Sequence, residues 1–317
     1  MAITELIKKE IELSLPGRCF RDMPAKEFTT YKTGGEAELA AKPVSEKEFS
    51  YLIRVGAENR IPLTVLGGGA NVLVSDGGLA GILILTDLYR GTEFTGNRVI
   101  ARCGEDRDNF VKKCCEKGLA GLEKTSGIPG TVGGAVRMNA GAFGQETFDC
   151  LTSVKLMDGR SGLVFTKNKK ELEYGYRSVK GINGFIILEA EFEFSLDNPK
   201  KLLSAREEVL NSRARKQPLD FPSAGSVFKR PEGDYASRLI DAAGLRGLRA
   251  GDAEVSRKHT GFIINRGGAT ASDIYRLICE VKKRVKEKFG TELETEQILL
   301  GSFPEKISPD NKDENHY

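Results

Sequence analysis

The sequence predicts a multidomain protein that mixes α-helices with β-strands, and three observations support this. The chain has 317 residues, 39% of them hydrophobic, and so exceeds the roughly 250 to 300 residues at which one hydrophobic core stops growing. Its middle part is rich in strand patterns and short turns, whereas its C-terminal part carries two helix patterns. We therefore expect two or three domains.

The N-terminal part predicts a helix followed by two strands. The helix covers residues 45–60, where Ser45 and Glu48 have the spacing of a capping box and the apolar residues share one face. Two apolar strands follow, within IPLTVLGGGANVLVSD and GILILTD, around a loop of three consecutive glycines.

The middle part predicts a strand near residues 99–103 and a helix that begins at about Asp106. Gly118 ends this helix as its C′ residue. Farther along, SVKLMDGRSGLVF has the pattern of a β-hairpin, and GFIILEAEFEF alternates strictly between apolar and polar residues. This region is therefore expected to form a sheet with one apolar face.

From residue 200 onward the sequence predicts three helices, the last two of them in the C-terminal part. The first covers residues 200–216, ends before Pro218 and leads into a C-terminal unit. A short helix is closed by Gly244, and a long one over residues 271–290 carries an apolar stripe opposite its lysines. We interpret those lysines as a solvated face.

The run GIPGTVGGAVRMNAGAFG, from Gly127 to Gly144, is the most informative segment. Glycine permits positive φ and lacks the Cβ that would hold a ligand away, and successive free N–H groups form a nest for oxyanions. A tightly packed turn is the alternative interpretation. The run predicts a phosphate-binding loop.

Two known nucleotide motifs do not fit. The dinucleotide fingerprint GxGxxG is absent, because the three glycines from Gly67 are followed by Ala70, Asn71 and Val72. A Walker A loop fails because Glu123 stands where that motif needs glycine before its lysine. Two glycine loops, each beside strands, can instead hold one large diphosphate ligand, and this favours a flavin dinucleotide.

Composition argues against other classes of protein. The net charge of +3 comes from 48 basic and 45 acidic residues without a basic block, which argues against a nucleic-acid partner. The six cysteines show no CxxC spacing and the chain has two histidines, so no zinc or other metal site is predicted.

We also expect a reduced, cytoplasmic protein without membrane insertion, because neither a signal core nor an apolar stretch of eighteen residues is present. The sequence does not define an oligomeric state, and a monomer is the expectation. Residues 304–317 have the composition of a disordered tail.

Seven blocks occur in order within residues 29–301: TYKTGGEAEL, VLGGGANVLVSD, GLEKTSGIPGTVGGAVRMNAGAFG, LEYGYRS, PSAGSVFKRP, KHTGFIIN and LETEQ. With these blocks the chain resembles the UDP-N-acetylenolpyruvoylglucosamine reductase family, flavoenzymes of peptidoglycan precursor synthesis.

The resemblance implies an α+β fold with a two-lobed FAD-binding domain of the vanillyl-alcohol oxidase type and a C-terminal α+β substrate-binding domain. The implied ranges are residues 1–89 and 90–212 for the two lobes and 213–303 for the third unit. Because neither His259 nor His316 lies in the first two lobes, the FAD is expected to be noncovalent.

The resemblance also implies a catalytic set of Arg177, Ser226 and Glu296. The expected reaction reduces UDP-N-acetylglucosamine enolpyruvate to UDP-N-acetylmuramate, with NADPH as the hydride donor. Arg177 would meet the charge that develops on the substrate carboxylate, Ser226 would donate a proton, and a half-buried Glu296 would act as a neutral donor. Without the resemblance, a surface arginine, a turn serine and a solvated glutamate remain the alternatives.

Binding residues are implied in the same way. Substrate contacts are expected at Lys216, Lys229 and Arg230, where Lys229 could also polarise Ser226 and Arg230 stands in place of the asparagine usual in the family. The short separation of Arg177 from Ser226 suggests the second family type, which lacks a tyrosine loop that caps the substrate. The expected FAD contacts are Thr33, Gly34, Gly35, Gly67, Gly68, Gly69, Ala70, Asn71, Gly127, Ile128, Pro129, Gly130, Gly133, Gly134 and Arg213.

Two other functions remain open from the sequence. One is an oxidase or dehydrogenase of the same superfamily that acts on another small substrate. The other is a nonenzymatic nucleotide-sugar binding protein that has kept the loops but lost the chemistry.

Overall fold

A computed structural model describes residues 2–304, so the predicted tail lies outside the described residues except for Pro304. Within this range the α-helices are α1 (Glu5–Ser14), α2 (Glu46–Asn59), α3 (Arg107–Glu116), α4 (Val132–Arg137), α5 (Thr147–Cys150), α6 (Pro199–Lys216), α7 (Ala236–Ala242) and α8 (Ala271–Phe289).

The β-strands are interspersed with these helices along the chain. The first ten are β1 (Cys19–Pro24), β2 (Glu36–Ala41), β3 (Leu63–Leu66), β4 (Val72–Val74), β5 (Leu79–Leu85), β6 (Thr92–Thr95), β7 (Arg98–Arg102), β8 (Leu119–Ala120), β9 (Gly141–Ala142) and β10 (Gln145–Glu146). The others are β11 (Leu151–Asp158), β12 (Val164–Asn168), β13 (Glu173–Gly175), β14 (Ser178–Lys180), β15 (Phe185–Glu193), β16 (Ser195–Leu196), β17 (Arg249–Ala250), β18 (Ala253–Val255), β19 (Ile263–Asn265) and β20 (Ile298–Leu300).

The first lobe is a four-stranded sheet in the order β1-β2-β5-β3, with β2 and β3 both parallel to β5. Parallel neighbours need a crossover, and the predicted helix α2 lies between β2 and β3 in the chain. Ser45 caps α2 by accepting from the N–H of Glu48. The Glu48 carboxylate instead bonds Arg18, so the predicted capping box is only half formed.

The second lobe is a five-stranded antiparallel sheet in the order β12-β11-β15-β7-β6. The predicted hairpin is β11–β12, and the alternating segment is the central strand β15. Along β15, Leu188, Ala190 and Phe192 are fully buried, as the alternation predicts. Helix α3 begins after its cap Asp106 and ends before Gly118, as predicted.

In the third unit, α8 packs against the small sheet β17-β18-β19 and α7 packs against α8. The apolar stripe of α8 is buried from Ile274 to Val285. Helix α6 runs through the predicted boundary at residues 212 and 213 and packs against α3 of the second lobe.

The first lobe and the third unit are joined along one seam. Strand β20 pairs in parallel with β4, and Tyr31 and Leu73 belong to the apolar core of the third unit. The carboxylate of Asp76 accepts from the first two N–H groups of α8, those of Ala271 and Ser272, at 2.8 Å each. These N–H groups have no partner inside a helix, so Asp76 fixes the start of α8 from another unit.

No helix in the described part of the chain is both long enough and apolar enough to cross a bilayer.

Candidate active site

The predicted catalytic residues Arg177 and Glu296 form an ion pair at the junction of the three units. Arg177 Nε donates to Glu296 Oε1 over 2.9 Å, and both side chains are mostly buried, 19% and 13% exposed. From the first lobe, Asn71 donates its side-chain N–H to the main-chain carbonyl of Glu296. All three units therefore contribute to one site.

Arg177 occupies the tip of the hairpin formed by β13 and β14. Its φ is +54°, in the left-handed region that side chains with a Cβ rarely adopt. Three acceptors hold it there: Glu296, the carbonyl of Gly141 at 2.7 Å and the carbonyl of Asn139 at 3.5 Å. Strain of this kind persists where the surroundings fix it, and it is common at functional sites.

The hairpin itself is held by Asn139, which is fully buried. Its side-chain amide donates to the carbonyl of Gly175 and to the Glu146 carboxylate, and its side-chain carbonyl accepts from the N–H of Phe148. The sequence analysis did not select Asn139. Its only signal was its position inside the second glycine run, as one of the few polar residues there.

Glu296 follows the expectation of a partly buried carboxyl group. Burial raises the pKa of Glu296, and the nearby charges of Arg177 and Lys229 oppose this rise without cancelling it. Glu294, which the sequence pattern alone could not separate from Glu296, has a side chain that is 63% exposed. The structure thus distinguishes these two glutamates by their environment.

Ser226 is exposed and lies on a segment that runs beside Glu296. Glu296 N–H donates to the carbonyl of Val227, and Phe228 pairs antiparallel with Thr295, so the serine segment runs along the glutamate segment. Among residues 2–304, the Ser226 hydroxyl has no hydrogen-bond partner. It is therefore available to a bound molecule.

Gln297 positions the Ser226 segment and was not selected from the sequence, although it lies in the LETEQ block. It is 3% exposed. Its amide nitrogen donates to the carbonyls of Ala224 and Gly225, and its oxygen accepts from the hydroxyl of Tyr31.

The three residues predicted to bind the substrate have different environments. Lys229 pairs with Glu294 at 3.0 Å rather than with the Ser226 hydroxyl. The exposed guanidinium of Arg230 stacks on the ring of Tyr235, 4.1 Å from its centroid. Lys216 is exposed at the end of α6.

The two glycine loops lie against each other. A Cβ added at Gly68 would be 2.7 Å from Gly130 Cα, and one added at Gly67 would be 2.3 Å from Thr131 Oγ1. Protein contacts also leave no room for a side chain at two further glycines. A Cβ at Gly69 would clash with the carbonyl of Phe28, and one at Gly133 with the side chain of Cys103. Close packing of protein on protein therefore accounts for several of the glycines that were predicted to face a ligand.

The loops nevertheless present free backbone donors. Within the described residues, no protein acceptor binds the N–H groups of Gly68, Gly69, Ala70 and Asn71 in the first loop or of Gly130 and Thr131 in the second. By contrast, protein acceptors bind the N–H groups of four other predicted contacts: Gly127, Ile128, Gly133 and Gly134. The free donors form the kind of nest that holds a phosphate oxygen.

The third segment predicted to bind the cofactor, residues 33–35, is held by contacts within the protein. The hydroxyl of Thr33 donates to the carbonyl of Ala269 in the third unit, and the N–H of Gly35 donates to the carbonyl of Ser75. A Cβ at Gly34 would lie 2.6 Å from the carbonyl oxygen of Val74. These residues lie in the seam between the first lobe and the third unit.

Two buried arginines lie beside the second loop. Arg213 is 8% exposed, has an Nε without a partner among the described residues, and its Cδ would be 3.0 Å from a Cβ added at Gly127. Burial lowers the pKa of Arg213. Arg107, which the sequence analysis did not select, is 2% exposed. An arginine at the start of a helix gives no sequence signal that it is buried.

Family models match both halves of the chain. Residues 37–167 match the model of an FAD binding domain, and residues 217–300 match the C-terminal domain of UDP-N-acetylenolpyruvoylglucosamine reductase. These matches confirm the predicted FAD-binding domain and the predicted C-terminal domain.

Curated relatives of the same name match over most of their length. The chain is 41% identical to UDP-N-acetylenolpyruvoylglucosamine reductase of Clostridium tetani, over 87% of this chain and 90% of the relative. It is 40% identical to that of Caldanaerobacter subterraneus subsp. tengcongensis, over 93% and 98%.

Among solved structures, the reductase from Thermus caldophilus matches with a TM-score of 0.77 and 33% identity, covering 88% of this chain and 97% of that one. The chain therefore belongs to the UDP-N-acetylenolpyruvoylglucosamine reductase family.

Proposed function

We propose that this chain reduces UDP-N-acetylglucosamine enolpyruvate to UDP-N-acetylmuramate in peptidoglycan precursor synthesis, with FAD as its cofactor and NADPH as hydride donor. The observation that carries the proposal is the buried Arg177–Glu296 pair beside the free hydroxyl of Ser226. Since NADPH and nucleotide sugars are cytoplasmic compounds, we place the reaction in the cytoplasm.

The residues present fit FAD. The free N–H groups of Gly68 to Asn71 and of Gly130 and Thr131 can bind diphosphate oxygens, and Arg213 has a buried Nε without a protein partner. When bound, FAD supplies the hydride that adds to the terminal methylene carbon of the substrate.

Arg177 would bind the substrate carboxylate. Addition of hydride to the double bond leaves negative charge that spreads into this carboxylate, and a fixed guanidinium stabilises the charge without reorganising. The three acceptors around Arg177 preorganise it for this role. Its left-handed backbone further fixes the direction of the side chain.

Glu296 and the substrate carboxylate would compete for the same guanidinium. In the structure Glu296 occupies Arg177 Nε. A second carboxylate beside this partly buried pair repels the first and favours its protonated form. Substrate binding would thus convert Glu296 into a neutral hydrogen-bond donor that stabilises the developing charge.

Ser226 would deliver the proton to the carbon next to the carboxylate. Its hydroxyl is exposed and free of protein partners among the described residues. Gln297 fixes the carbonyls of the two residues before it. General acid catalysis needs such a group within hydrogen-bond reach of the reacting carbon.

A spectrum and an assay test the proposed function. The purified chain should bind FAD, and NADPH beyond the one equivalent that reduces the flavin should be consumed only when UDP-N-acetylglucosamine enolpyruvate is present. If NADPH is instead consumed at the same rate with oxygen alone, the chain is an oxidase that acts on another substrate. A chain that binds the nucleotide sugar but no flavin would support the binding-protein alternative.

A further inference from the structure

Arg107 is a buried cation that the proposed mechanism does not use. It is 2% exposed, and within the described residues its side chain makes a single hydrogen bond, from Nη1 to the carbonyl of Thr125 at 2.9 Å. Its Nε and Nη2 have no partner, and no carboxylate within residues 2–304 lies at ion-pair distance from it. Buried charges are normally paired because an unpaired one is costly.

The acids nearest to Arg107 are already occupied. Asp108 binds Arg206 through two hydrogen bonds, at 2.6 and 2.5 Å, and also accepts from the N–H of Gly127. Asp106 is exposed and caps α3 by accepting from Asn109.

Among residues 2–304, two buried arginines beside the second glycine loop have no carboxylate partner. Arg206 is neutralised by Asp108, and Arg177 by Glu296. Arg107 and Arg213 have no such acid in the described part of the chain. Their combined charge equals in size the two negative charges of a dinucleotide's diphosphate.

Arg107 and Arg213 both contact the segment that begins the loop. Arg107 contacts Thr125, and its own N–H donates to the carbonyl of Gly130. Arg213 contacts Gly127, since a Cβ there would lie 3.0 Å from Arg213 Cδ. Gly130 carries one of the free N–H groups described above.

Water does not remove this imbalance. A cavity of about 10 Å³ lies beside Arg107, between the side chains of Phe110, Leu122, Val132 and Phe192. A space of this size holds at most one water molecule, which can accept a hydrogen bond but cannot neutralise a charge. Burial, together with the charge of Arg213, lowers the pKa of Arg107 to about 10, so the side chain stays protonated at neutral pH.

We propose that Arg107 is a further residue for cofactor binding, whose charge, with that of Arg213, balances the diphosphate of FAD. This rests on the proposed function. Because its nitrogens are buried, Arg107 acts through its electric field and by holding Thr125, so it is a positioning residue. The fold then tolerates an unpaired buried charge because the cofactor compensates it.

The test compares Arg107→Met with Arg206→Met in the full chain after removal of flavin. Both arginines are buried beside the same loop, but only Arg206 has an acid partner. For Arg107→Met we expect the dissociation constant of FAD to rise at least tenfold and the melting temperature of the flavin-free protein to stay equal or rise. Arg206→Met should lower that melting temperature.

A variant that keeps the charge and a second probe separate charge from packing. Arg107→Lys should recover part of the FAD affinity that Arg107→Met loses, and ADP should lose affinity in similar proportion to FAD. An FAD dissociation constant that rises less than tenfold, an Arg107→Lys variant that recovers none of the lost affinity, or a loss of affinity for FAD but not for ADP would overturn the inference. Wild-type protein that does not bind FAD would instead overturn the proposed function.

Discussion

Arg177 Nε lies 2.9 Å from Glu296 Oε1, although 119 residues separate the two in the chain. The arginine is at the tip of a hairpin in the second lobe, and the glutamate precedes the strand that joins the third unit to the first lobe. This contact brings a fixed cation and a buried acid to the same point. The chemistry we propose depends on the same contact.

Replacing Arg177 by methionine should slow the reoxidation of reduced flavin by substrate by about 10² to 10³-fold, because a preorganised donor to the developing charge is lost. The rate at which NADPH reduces the flavin should change far less, since no negative charge develops on a substrate carboxylate in that step. Stopped-flow absorbance of the two half-reactions separates these effects. Equal slowing of both would mean that the variant has lost its structure rather than this contact.

The Ser226→Ala variant should still let NADPH bleach the flavin but should reoxidise slowly with substrate, because the proton donor is missing. A loss of about 10² to 10⁴-fold is typical of general acid catalysis. Ser226→Cys keeps a proton at a similar place and should recover part of the rate. If both half-reactions keep their wild-type rates in Ser226→Ala, another group donates the proton.

Glu296 should make stability depend on pH in a defined direction. Burial raises the pKa of Glu296 in the folded chain, so between its unfolded and folded pKa values the native state binds more protons than the unfolded state. The free energy of unfolding therefore falls as pH rises through this range. Denaturant titrations should show that Glu296→Gln, which cannot ionise, gains stability relative to wild type as pH increases from about 4. Parallel curves for the two proteins would contradict the raised pKa.

Gln297 should be a structural support of the Ser226 segment. Replacing it by leucine leaves the carbonyls of Ala224 and Gly225 and the hydroxyl of Tyr31 without their partner, which should cost about 2 to 3 kcal/mol. Tyr31→Phe removes only one of these bonds and should cost about 1 kcal/mol. Urea unfolding measures both, and equal losses would show that the bonds to Ala224 and Gly225 contribute little.

Asp76 should be a cap for α8 supplied by another unit. Its carboxylate accepts from the N–H groups of Ala271 and Ser272 and from the Ser272 hydroxyl. Loss of a helix cap typically lowers the free energy of unfolding by about 0.5 to 2 kcal/mol. The loss in Asp76→Ala should lie at the upper end of this range because two N–H groups lose their acceptor. Asp76→Asn should lose less. An unchanged free energy of unfolding in Asp76→Ala would argue against this role.

Several of the longer helices and strands followed from local sequence patterns. Helix α1 and the helix α4, which lies inside the glycine run predicted to be a loop, did not, nor did the partners of individual side chains. Ser45 caps α2 as its position predicts, but Glu48 turns to Arg18, thirty residues earlier. Likewise Lys229 lies three residues after Ser226, yet the antiparallel pairing of its segment places it beside Glu294. Spacing along the chain does not encode such contacts between distant segments.

The functional site likewise combines residues that the sequence predicted with residues that it did not. Resemblance to known sequences selected Arg177 and Glu296, and the structure brings them together. Arg107 and Asn139 were missed because polar side chains in ordinary helix and loop positions are expected to be solvated, and only the folded chain buries them. The glycines were predicted for a ligand, but several also allow the two lobes to pack closely.

The most direct test of the central claim is a single-turnover reaction without oxygen. The flavin-loaded chain is reduced with one equivalent of NADPH and then mixed with UDP-N-acetylglucosamine enolpyruvate while the flavin absorbance is followed. We predict rapid return of the oxidised spectrum with one equivalent of UDP-N-acetylmuramate formed. A flavin that stays reduced with this substrate but is reoxidised when oxygen is admitted would contradict the account.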